Sequence, residues 1–102
     1  MNRDTILTFL KELRTDPRHA MFKKIGLFGS YAKDKADDYS DIDIAVQIDK
    51  RYFETHDVWD YFDAIEMIKK RIFHQFHRKS DVFDIESTSS LKEQILKDVI
   101  YV

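Results

Sequence analysis

The chain has no cysteine among its 102 residues. Disulfide bridges, thiolate metal sites and cysteine nucleophiles are therefore excluded. The pattern suits a reducing compartment, and a cytoplasmic location is expected. Proline occurs once, at Pro17, and glycine twice, at Gly26 and Gly29. Backbone punctuation is thus sparse, and each such position carries information. Neither sign of charge is in excess: 17 Lys and Arg stand against 19 Asp and Glu, a formal net charge of -2. That balance leaves no electrostatic footprint for nucleic acid, and no direct nucleic-acid binding is expected. No apolar run approaches the ~20 residues of a membrane span, so no membrane association is expected either. The start, Met1-Asn2-Arg3-Asp4, lacks the apolar core of a signal peptide. Internal repeats and low-complexity tracts are missing too.

What is present is a globular composition, 43% hydrophobic and 35% charged, in a length suited to one domain spanning 1–102. Ile6, Phe9, Leu10 and Leu13 fall at helical spacing and predict an amphipathic helix over Asp4 to Leu13, stopped by Pro17. Lys24 to Phe28 reads as a buried strand. Gly26 inside it marks either the close approach of a backbone or ligand, or a simple packing gap. Gly29 supplies a turn, and Ser30 to Ala36 reads as a short helix whose first N–H groups suit an anion such as phosphate. In Ser40 to Ile48, Ile42, Ile44, Val46 and Ile48 alternate with Asp41, Asp43, Ala45 and Gln47. That is the period of a half-buried strand, with Asp41 and Asp43 on one face. Two such carboxylates either form the solvated edge of a strand or have a cation between them to offset their repulsion, and all-oxygen ligands suit Mg²⁺ or Mn²⁺. Asp37 and Asp38 read as a polar loop.

A long helix is expected over Tyr52 to His77, with Val58, Phe62, Ile65, Ile68, Ile72 and Phe76 as its stripe. Trp59, Met67 and Phe73 fall off that stripe, giving either a wider core face or a partner surface. His74 and His77 read as surface residues beside Lys70, Arg71, Arg78 and Lys79. Asp81 to Ile85 is a third strand, in which only one of Asp81 and Asp84 can share the face of Asp41 and Asp43. Ser87 to Ser90 offers N-caps for a helix from Leu91 to Lys97, and Val99 to Val102 reads as a short strand or docked tail. The fold class is α/β (α+β), a small mixed sheet of three to four strands with helices packed on it, in the order α-β-α-β-α-β-α.

Gly29-Ser30, then Ser40-Asp41-Ile42-Asp43, then a later strand aspartate resembles the nucleotidyltransferase superfamily related to DNA polymerase β. The length and element order are similar to its smallest members, the minimal nucleotidyltransferase (MNT) domains, many of which act as antitoxins paired with a HEPN-domain toxin. The resemblance covers nearly the whole chain, ending with Lys79-Ser80-Asp81-Val82-Phe83-Asp84-Ile85 and Leu91 to Leu96. Many members read Gly-Ser-x-Ala-Arg-Gly, where this chain has Lys33 and Asp34 at the last two positions. The resemblance implies Asp81 as the third carboxylate. It implies that Asp41, Asp43 and Asp81 are both catalytic and metal-binding, holding two Mg²⁺ ions with Mn²⁺ as the alternative. It further implies that Gly29, Ser30 and Lys33 hold the phosphates of ATP, and that AMP passes to a tyrosine hydroxyl of a HEPN toxin. Homo- or hetero-oligomers are compatible with this. A second reading is an antitoxin that neutralises its partner by complex formation, with weak or lost catalysis. Small-molecule modification uses the same motif, but usually with an additional helical domain.

Overall fold

A computed structural model of the protein describes residues 1–87, 90 and 92–102. Helix α1, Arg3–Thr15, starts at Asn2, whose side-chain oxygen accepts from Thr5 N–H at 2.9 Å. Its stripe is Ile6, Leu10 and Leu13, all buried, while Phe9 lies half-buried, edge-on to Phe76 at 5.3 Å. The helix stops where Asp16 turns extended and caps a 3₁₀ turn over Pro17–His19. There Pro17 occupies the first turn, where no N–H is required.

The chain then runs through strand β1 (Phe22–Phe28), the single helical turn α2 (Gly29–Ala32) and strand β2 (Ile42–Ile48). The expected helix over Ser30 to Ala36 is shorter than the sequence suggested. Asp34 adopts a left-handed φ of 57°, which ends the turn. Helix α3 (Val58–Phe76), strand β3 (Ser80–Asp84), helix α4 (Lys92–Asp98) and strand β4 (Ile100–Tyr101) follow. The four-stranded sheet has the order β3-β2-β1-β4. Strands β1 and β4 pair antiparallel, β1 and β2 antiparallel, and β2 and β3 parallel. The parallel pair needs a crossover, and α3 provides it. This is the mixed α/β architecture expected, with β4 as its fourth strand. The N-caps expected at Thr88 and Ser89, and the helix start at Leu91, lie outside the described residues.

The sheet is covered on both faces. On one, Ile25, Leu27, Ile42, Ile44 and Val46 pack with α1 and α3 in the main core. On the other, Ala45 and Ile85 meet Ile95 of α4, with Phe28, Phe83 and Val99 alongside. Gly26 sits opposite Ala45 and Tyr101. A Cβ there would lie 2.7 Å from Val99 Cγ2 and 2.9 Å from the Ile100 carbonyl oxygen. The glycine therefore marks the close approach of the Val99 side chain and the β4 backbone rather than a packing gap.

The long helix corrects the sequence reading in two ways. It begins at Val58, not Tyr52. Asp57 and Asp60 form a reciprocal capping box, and the segment before it is a 3₁₀ turn over Lys50–Glu54. Its buried face is Ala64, Ile68 and Ile72, with Tyr61, Ile65 and Phe76 beside them. Val58 and Phe62, assigned to the stripe, are exposed with Trp59 and Phe73. The apolar residues therefore outnumber the places the core offers, and the surplus faces outward. No helix among the described residues is long and apolar enough to cross a membrane.

Candidate active site

The carboxylates meet at one end of the sheet. Asp43 is paired with Phe28 of β1 on one side and with Asp81 of β3 on the other. Paired residues project to the same face, so β3 presents Asp81 toward Asp43. The alternative, Asp84, pairs with Val46 and turns to the opposite face, where its Oδ2 accepts from Tyr61 Oη at 3.0 Å. Burial and that hydrogen bond push the Tyr61 phenol up to about 12. Asp84 is thus an anchor for α3, and Asp81 is the strand aspartate that joins Asp43. Asp41, one step before β2, is exposed on the approach to the pair.

Asp43 is the strained member of the group. Burial, then the neighbouring charges of Asp81 and Asp41, raise its pKa to about 6. Carboxylates crowded in this way favour a cation among them. The donors are all oxygens, which suits Mg²⁺. Among the described residues, no group of three or more His, Asp or Glu side chains is placed so that it could hold a metal ion by itself. Magnesium does not require one, because it usually keeps waters and substrate phosphates as ligands beside one or two carboxylates. The residues therefore fit the ion.

Gly29 lies directly against this group. Its φ is +75°, and a Cβ on it would overlap the Asp43 carboxylate and lie 2.9 Å from Asp43 Cγ. Only glycine allows this turn to pass so close to that carboxylate. Ser30 follows at the start of α2, partly exposed. Lys33 Nζ lies 3.0 Å from Asp98 Oδ2 of α4, so the lysine ties α2 to α4. Asp34 adopts the left-handed conformation, and its carboxylate is met by Arg3 Nη1 at 3.0 Å. The loop before β2 is held by Asp37, which accepts from Tyr39 N–H, while its own N–H donates to Ser40 Oγ. Arg78 reaches the Asp38 carbonyl from beyond α3. Asp37 and Asp38 are loop residues, as their setting in the sequence suggested.

One feature of the surroundings was not legible in the sequence. A cleft of about 510 Å³ opens beside Asp41 and Asp81, walled by Lys69, Lys70, Phe73, His74, His77 and Lys79. His74 and His77 are surface residues, but they line this cleft beside two of the carboxylates. The run of cations near the end of α3 was the available signal.

The model of the polymerase β nucleotidyltransferase family matches residues 13–102. A protein of Methanocaldococcus jannaschii, named provisionally as a protein adenylyltransferase, is 34% identical over 82 residues, 78% of this chain and 76% of its own. A solved structure described as a provisional minimal nucleotidyltransferase aligns over 98% of this chain and 95% of its own, with a TM-score of 0.70 at 19% identity. A complex of the tri-AMPylated HEPN toxin of Shewanella oneidensis with its MNT antitoxin aligns over 98% of this chain and 67% of that one, with a TM-score of 0.55 at 22% identity. With the family model covering most of its length, the chain belongs to the polymerase β nucleotidyltransferase family and has the fold of the family's minimal members.

Proposed function

We propose that the chain is a Mg²⁺-dependent antitoxin that transfers AMP from ATP to a tyrosine hydroxyl of a partner HEPN toxin. The observation that carries this reading is the register of the sheet, which pairs Asp43 with Asp81 beside Gly29. The adenylyltransferase name of the Methanocaldococcus relative and the likeness to an antitoxin bound to an AMPylated HEPN toxin support it.

In this reading the backbone at Gly29 and the hydroxyl of Ser30 hold the terminal phosphates. Lys33 is a further contact once released from Asp98. Asp41, Asp43 and Asp81 would hold two Mg²⁺ ions, or Mn²⁺, which supply charge neutralisation at the phosphates and acidify the attacking hydroxyl. The tyrosine oxygen bonds to the α-phosphorus as the bond to the bridging oxygen breaks. Pyrophosphate leaves, and Asp81 takes the phenol proton.

A second reading, neutralisation of the partner by binding alone, is favoured by one observation. Lys33 is engaged with Asp98 rather than free toward a triphosphate. Incubation with α-labelled ATP, Mg²⁺ and the protein encoded next to this chain separates the two. Label on the partner, lost in both Asp41→Asn and Asp43→Asn, is the result expected. Inhibition of the toxin that survives both substitutions with no label at any stage would replace the enzyme by the binder.

A further inference from the structure

We propose that the cleft beside Asp41 and Asp81 is the acceptor subsite and that it selects a hydroxyl carried on an acidic protein segment. This rests on the transfer reading above and names its substrate class. The argument begins with the direction of attack. In phosphoryl displacement the attacking and leaving oxygens lie roughly in line, on opposite sides of phosphorus. Gly29 and Ser30 follow β1, so a triphosphate held there leaves pyrophosphate on the β1 side of Asp43. The acceptor must then arrive from the β3 side, where Asp81 stands. The cleft opens there.

Asp41 and Asp81 stand on one side of the cleft, and the rest of its wall is basic. Lys69, Lys70 and Lys79 contribute three ammonium groups, and His74 and His77 two imidazoles, around the exposed ring of Phe73. Only Lys69 has an acidic partner among the described residues, Glu66 at a loose 3.8 Å. A neutral tyrosine needs none of these ammonium groups, whereas carboxylates flanking it would be matched by them. The acidic flanks would rest over α3 and the start of β3, leaving the hydroxyl alone to reach Asp81.

The same face of α3 argues for a protein rather than a free nucleotide. Trp59 and Phe62 are one turn apart, and Phe73 lies about three turns beyond Phe62, so they share the outward face with Lys70. Trp59 is 71% exposed, Phe62 50% and Phe73 53%. Trp59 and Phe62 at one end of this face and Phe73 at the other, with Asp63, Glu66, Lys69 and Lys70 between them, make more surface than a nucleotide covers, and the rings suit a folded partner.

Three dye-labelled peptides of equal length test this, each with one central tyrosine flanked by Glu, Gln or Lys. Their binding to the intact chain is read by fluorescence anisotropy with Mg²⁺ present, and transfer is read with α-labelled ATP. The Glu peptide is expected to bind about tenfold tighter than the Gln peptide, the preference a few exposed ion pairs supply. Lys70→Glu with Lys79→Glu should erase or invert that order while melting as the wild type does. The same substitutions at Lys23 and Lys24, away from the cleft, should leave it unchanged. Equal binding of all three peptides, or a preference untouched by the Lys70 and Lys79 changes, overturns the subsite. So does tight binding of AMP in the cleft, sensitive to those changes, without preference among the peptides. Preferential Glu-peptide binding without label on any peptide keeps the subsite and counts against transfer. Label on all three alike keeps transfer and removes the selectivity.

Discussion

At the scale of single residues, Gly29 is the position with the least freedom. It combines a left-handed φ with contact against Asp43, so two independent costs fall on any side chain there. Gly29→Ala should lower stability by about 1–3 kcal/mol, the usual cost of such strain. It should also displace Asp43 and depress transfer well beyond what the stability loss explains. A denaturant midpoint beside a transfer rate measured under folding conditions checks both. His19 is the other informative residue. It is fully buried, and neither ring nitrogen has a partner among the described residues. Burial, and then the Arg71 charge, hold its pKa below the ordinary histidine value. The unfolded chain therefore binds the proton more readily, and stability should fall as pH drops through about 6.5. His19→Phe should flatten that limb of the stability profile, and an unchanged profile would refute the assignment. Gly29, Asp41 and Asp43 were legible in sequence because their chemistry is tied to local spacing. The choice between Asp81 and Asp84 could be made only through the family resemblance, because it depends on strand register, which a period of two cannot fix.

At the scale of elements, α3 shows where sequence periodicity stops being informative. Its apolar residues lie on more than one face, so several stripes could be drawn through them. Packing into the main core selects the one through Ala64, Ile68 and Ile72. Its start was equally hidden, because Tyr52 and Phe53 continue the apolar character through the preceding 3₁₀ turn. The Asp57 and Asp60 capping box decides it. The outward surplus gives a prediction at this scale. Trp59→Ala and Phe62→Ala remove exposed rings and should change stability by no more than about 0.5 kcal/mol. They should nevertheless weaken the complex with a HEPN partner. A thermal melt beside a titration of the partner distinguishes this from a core role, in which the melt would shift strongly. The two ends of α2 tell a related story. Lys33 and Asp34 are matched by Asp98 and Arg3, so the departure from the common motif is absorbed by ion pairs to α4 and α1.

At the scale of the whole molecule, the two faces of the sheet have different tasks. The face under α1 and α3 holds the main core. The other is only partly covered by α4, and the carboxylates stand on it where the cover ends. The alternation of Ile42 to Ile48 with Asp41 to Gln47 displayed the first face in the sequence. The second was hidden, because Ala45, Phe28 and Ile95 converge only after β4 and α4 fold back across β1. This end of the sheet gathers carboxylates at a cost, which a divalent cation bound there would relieve. Asp43, with its pKa raised to about 6, is ionised in the folded state only above that value, whereas in the unfolded chain it ionises near 3.9. The stability that its protonated form retains below about pH 4 is lost as pH rises through 6. At pH 8 the penalty is up to about 3 kcal/mol, from a shift of roughly two units. The decisive measurement is the melting temperature of the wild type and Asp43→Asn at pH 8, with and without Mg²⁺. Without the ion, Asp43→Asn should melt higher than the wild type; adding Mg²⁺ should raise the wild type and leave the variant unmoved. A wild type that already melts higher without Mg²⁺, and that does not respond to it, would contradict the account.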